Sequence, residues 1–127
     1  MDEAALIAGL EAGTLPAAHF SHENHVRAAR ALLLAEPLPA AAHHFAALLA
    51  NYVRSLGAQD KFHLTLTLAF MHLIHARMRA GETWEEFRAA SPELFSNASA
   101  LIQRHYSRER IAAGRSQFVE PDGMPLP

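Results

Sequence analysis

The stretch KFHLTLTLAFMHLIHARMRA, Lys61–Ala80, decides the fold. Its HLTLTLAF segment alternates polar and apolar residues, and in isolation that period of two reads as a strand. The apolar pattern continues, however, through 20 residues between Asp60 and Gly81. Asp is a good helix N-cap and Gly a good stop, so the expectation is one long helix capped by Asp60.

Working outward, the same punctuation recurs. Asp2 is placed to cap a helix over Glu3–Ala12, which Gly13 and Pro16 end. Ser21 caps a second helix, halted at Glu36 by Pro37, and Pro39 suits the first turn of a third, AAAHHFAALLANYVRSL, closed by Gly57. Thr83 and Glu86 have the spacing of a capping box. Ser91-Pro92-Glu93 restarts the chain in a short turn, and SALIQRHYSRER is helical with a break near Ser107. The tail FVEPDGMPLP is too rich in Pro and Gly for regular structure and should lie extended over the surface. The expected fold is all-α: a single-domain compact bundle over residues 1–127, with about five to six helices and that tail.

Composition narrows the functional classes. Half the residues are hydrophobic, enough for a core in a chain of 127. A net charge of −2 with the signs intermixed argues against nucleic acid or a membrane surface as partner. The absence of Cys removes disulfides, thiolate nucleophiles and sulfur-ligated metals. MDEAALIAGL opens with acids where a signal peptide needs bases, and no apolar run approaches the ~20 residues of a membrane span. The expected compartment is therefore the cytoplasm. The unusual count is nine His against eleven Lys plus Arg.

FSHENHVRAARALL, residues 20–33, places two of these at the start of an apolar helix. At 100° per residue His22 and His25 lie about 60° apart on one face, continued by Ala29 and Leu32. Two imidazoles one turn apart suit one metal ion or a hydrogen-bonded polar ligand. His63 offers a third, in the expected first turn of its helix, with Thr67, Phe70 and Ile74 following on one stripe and Thr67 able to support it. In an up-down-up bundle the helices bearing the three rings run the same way, so His22, His25 and His63 are expected to converge. Three imidazoles plus water suit a divalent transition metal such as zinc, iron or copper. HENH is not the HExxH of metalloproteases, which counts against that class.

Other groups frame this site. Arg27 is placed either to fork onto a carboxylate or phosphate of a ligand or to pair with Glu23 at i, i+4. Tyr106 is either a catalytic hydroxyl or a core residue bonded to backbone. Arg27, Thr67 and Tyr106 are the candidate catalytic residues. His72 and His75 point away from His63, toward the surface or an interface. His43 and His44 are adjacent and cannot share a face. His19 lies near the mouth, and His105 packs or meets water.

FSHENHVRAARALL, KFHLTLT, RHYSRERI and FVEPDGMPLP together resemble the ordered blocks FxHxxHxRxA, HxTxT, YSxxR and EPD of a family of small bacterial proteins without an established activity. The resemblance spans Phe20–Pro127. It implies functional importance for Phe20, His22, His25, Arg27, His63, Thr65, Thr67, Tyr106, Ser107, Arg110, Glu120, Pro121 and Asp122, and leaves the reaction open.

Two functions fit these observations. One is a metal-dependent enzyme acting on a small anionic molecule. The other is a non-catalytic module that binds or senses a metal or small ligand. The expected partners are a small-molecule ligand or substrate and, given the apolar surface residues to spare, a second copy in a homodimer.

Overall fold

Local capping sets most of the helix boundaries. In the computed structural model, which describes all 127 residues, Asp2 accepts the Ala5 amide at 2.8 Å and opens α1, Glu3–Ala12. Ser21 does the same for α2, His22–Ala35, by accepting from Asn24 at 3.2 Å. Pro37 separates α2 from α3, Leu38–Ser55, whose first turn contains Pro39. Thr83 and Glu86 form the expected capping box at the head of α5, Trp84–Ala90.

The chain is entirely helical, with no strand, and has eight α-helices where about five to six were expected. HLTLTLAF lies in α4, Leu64–Arg77. This helix is shorter at both ends than its apolar pattern suggested. Asp60 does not cap it: that residue belongs to a short 3-10 turn, Gln59–Lys61, and the N-cap is His63. The region after α5 is divided into α6 (Glu93–Ser96), α7 (Ala98–Gln103) and α8 (Arg108–Ala112), the last opening at the Ser107 cap.

Two compact units result, Met1–Phe62 and His63–Pro127. In the first, α1, α2 and α3 pack on one another pairwise. Leu6 and Leu10 of α1, Val26 and Ala29 of α2, and Phe45 and Tyr52 of α3 form its core. Tyr52 also donates its hydroxyl to Leu15 O at 2.8 Å, fixing the chain that leaves α1.

In the second unit α4 is buried around most of its circumference: Thr65, Leu68, Ala69, Phe70, Met71, Leu73 and Ile74 all lie inside. The tail is irregular, as Pro and Gly dictate, but it is bonded along its length. Thr65 Oγ1 donates to Gln117 O at 3.1 Å and accepts from Val119 N at 3.2 Å. Tyr106 donates to Val119 O and Arg110 Nε to Glu120 O, both at 2.8 Å. Asp122 accepts from the Ser107 amide at 2.8 Å. His105 Nδ1 lies 2.8 Å from Met124 O, and His72 Nδ1 lies 3.0 Å from Pro127 O. Gly114 has to be glycine here, because a Cβ would collide with Thr65 Oγ1 and Val119 Cγ2.

Thr65→Val keeps the side-chain shape and deletes both tail bonds. It should lower the unfolding free energy by about 1–3 kcal/mol and raise exchange of the Val119 amide, measured by urea titration and hydrogen exchange. Gly114→Ala should cost a similar ~1–3 kcal/mol by overpacking the same point. Unchanged Val119 protection in T65V would show that the tail is held elsewhere.

Candidate functional site

In the first unit, α2 starts with its two histidines side by side, as the spacing requires. The His22 and His25 ring centroids are 6.1 Å apart. His25 stacks on Phe20 at 5.6 Å with an interplanar angle of 10°, and it lies 5.1 Å from Phe45. Phe20 in turn meets Tyr52 edge-on at 5.3 Å. His22 is exposed, whereas Phe20 and His25 are half-buried. Phe45 and Tyr52 come from α3 and were not among the residues singled out in the sequence. Their seven-residue spacing, two helical turns, was the available signal.

The aromatic floor changes the chemistry of His25. Burial, reinforced by the positive charge of a nearby His22, lowers its pKa from 6.5 to about 4. At neutral pH it is an uncharged imidazole with one donor and one acceptor nitrogen. Arg27 lies about 200° round the helix from His25 and turns toward α1. Its Nε bonds Glu3 Oε1 at 2.9 Å, a partner that neither sequence alternative, a ligand anion or Glu23, had named. That hydrogen bond, followed by Glu3's own backbone, holds the Glu3 carboxyl below its usual range.

The three-histidine metal centre is not formed. No group of three His, Cys, Asp or Glu side chains is arranged to hold a metal ion, which overturns the expected zinc, iron or copper site at His22, His25 and His63 and the metal-dependent function built on it. His63 shows the physical reason. Its Nδ1 accepts the Leu66 amide at 3.2 Å as the N-cap of α4, and its Nε2, 2.8 Å from Ile111 O, carries the hydrogen and donates. Both ring nitrogens are therefore engaged within the second unit. The expected stripe is also displaced, because His63 precedes the helix instead of standing in its first turn.

The remaining sequence candidates are placed as follows. Thr67 Oγ1 donates back to His63 O at 2.8 Å along its own helix. Tyr106 is buried with its hydroxyl on Val119 O, and burial, then Glu120, pushes its pKa up to about 12. His44 Nδ1 lies 2.6 Å from Glu36 Oε2, across the turn between α2 and α3. His43 and His75 are exposed. No family model matches the chain, and neither a curated protein nor a solved structure matches it.

Two outcomes test this geometry. His63→Ala should destabilise the fold by about 1–3 kcal/mol, because it removes both the cap and the tie to α8. His63→Asn, a good N-cap without the reach to Ile111, should recover about 1 kcal/mol of that loss in urea unfolding.

His25 predicts a pH dependence. Its folded pKa lies below its unfolded value, so its contribution is fully present above about pH 6.5. As pH falls from there toward about 4, the unfolded chain takes up a proton that the folded chain does not. Stability is lost over that window, by up to ~3 kcal/mol. His25→Phe should remove this part of the acid sensitivity while keeping the stack on Phe20 and Phe45. Parallel unfolding curves at pH 7 and 4.5 for both proteins check it.

Proposed function

We propose that the chain is a non-catalytic module that binds a small planar molecule at the face formed by Phe20, His22 and His25. The single observation behind this reading is the stacked pair Phe20–His25, 5.6 Å apart and within 10° of parallel, with the exposed His22 ring beside it. The Phe20 ring and the exposed His22 ring beside it present aromatic surface on which a planar ligand can stack. Small-molecule sites commonly combine an aromatic lining with a few polar groups that fix orientation. The Glu3–Arg27 ion pair balances the nearest cationic side chain of α2, so an uncharged ring suits this face better than an anion.

Benzamide and benzoate are suitable probes, because they share a ring and differ in charge. In ¹H–¹⁵N spectra, benzamide should shift the resonances of Phe20, His22 and His25 with a Kd on the order of 1–10 mM, as expected for so small a molecule. Benzoate should bind more weakly, and His22→Ala should reduce both responses. Shifts confined to other residues, or none at roughly 20-fold excess over that Kd range, would remove the assignment of this face.

A further inference from the structure

The C-terminal segment 117–124 is held mainly through its main chain, with one side-chain bond, from the Ser107 amide to Asp122 Oδ1. Carbonyls of Gln117, Val119 and Glu120 accept from Thr65, Tyr106 and Arg110, while the Gly123 and Met124 amides donate to the His105 and Arg104 carbonyls. Recognition of this kind reads an extended backbone and tolerates most side chains. Two apolar side chains of the segment remain in water, with Phe118 37% and Met124 58% exposed. One side-chain requirement is strict: a Cβ at Gly123 would lie 2.7 Å from Arg104 O. Just before the segment, the Gly114 and Arg115 carbonyls are fixed to the Thr65 and Leu64 amides. Ser116 is therefore the one residue between that anchor and the first tail contact at Gln117, which makes it the natural hinge.

We infer that this track also accepts segment 117–124 from a second copy of the chain, producing a two-fold symmetric dimer by exchange of C-terminal tails. Every bond made within one copy has an identical counterpart between copies, so exchange requires no new surface and closes on itself. The opposing effect is the effective concentration of the chain's own tail, on the order of mM for a short tether. Exchange is therefore favoured when chains fold together at comparable concentration. Once formed, the dimer persists on dilution, because release requires the whole row of main-chain bonds to open.

The test uses the full chain, unfolded in urea and refolded either dilute or at on the order of 1 mM, followed by light scattering after dilution. Monomer from the dilute sample and a slowly decaying dimer from the concentrated one are expected. T65V impairs the track and G123V impairs the tail, each in closed monomer and exchanged dimer alike, so either variant refolded alone should keep roughly the native proportion of dimer. Mixing the two during concentrated refolding should enrich the mixed dimer over either homodimer, since only the T65V tail seated in the G123V track makes the native contact at both Thr65 and Gly123. Native mass spectrometry with one partner isotope-labelled identifies that mixed species. Native protein that stays monomeric at every refolding concentration overturns the inference without reference to any variant. So does a T65V/G123V mixture in which the mixed dimer is no more abundant than random pairing gives, because that dimer would use another surface.

Discussion

The first turn of α4 is half-buried to buried, and the amides it leaves unbonded find partners inside the fold. Thr65, its second residue, has no exposed surface. The Leu64 and Thr65 amides are taken by the Arg115 and Gly114 carbonyls at 2.9 and 3.1 Å, and the Leu66 amide by the His63 ring at 3.2 Å. Much of the second unit follows from satisfying these three groups. The carbonyls come from the segment after α8, so that segment must reach α4. It can approach closely only with glycine at 114, and its continuation then passes Thr65, which bonds it on both sides. The His63 ring completes the arrangement by tying the same end of α4 to Ile111 of α8.

Helices announced by ordinary caps were legible in the sequence. Asp2, Ser21 and the Thr83–Glu86 box open helices where they were expected to, because their side-chain acceptors act on amides two or three residues away and need nothing else. The start of α4 was not legible. Asp60 ranks above His as a cap, and nothing local reveals that an imidazole three residues later is held in place by a carbonyl 48 positions along the chain. The His22–His25 pairing followed from helical geometry alone and was correctly placed on one turn. The convergence of His63 with that pair depended on tertiary placement and on unengaged ring nitrogens, and sequence spacing specifies neither. The segment after α8 has no helix or strand of its own. Its anchors were invisible as anchors, since Thr65, Tyr106 and Arg110 act on a main chain more than nine residues away in each case, with separations of 52, 13 and 10.

The two units use imidazole in contrasting ways. In the second, hydroxyl, guanidinium and imidazole groups are directed at backbone atoms, and this satisfies a segment that has no helix or strand of its own to do so. In the first, imidazole is packed as a ring. His25 gains contact with Phe20 and Phe45 and gives up easy protonation, which is the electrostatic consequence of surrounding it with apolar surface. A phenylalanine would stack there without acid sensitivity. What distinguishes histidine from phenylalanine at this position is that its ring also carries a donor and an acceptor nitrogen.

This versatility also explains why nine histidines do not imply a metal. A neutral imidazole is a ring, a donor and an acceptor at once, and the chain uses each property in a different place. His63 caps a helix with one nitrogen and bridges to another helix with the second. His105, buried, meets a tail carbonyl through Nδ1, while His44 meets the carboxylate of Glu36. His25 contributes chiefly its face. The expected three-histidine centre would require three such rings with their lone pairs turned to one point. Here the hydrogen-bonding needs of buried helix ends and of an irregular tail turn several of them to separate carbonyls and amides.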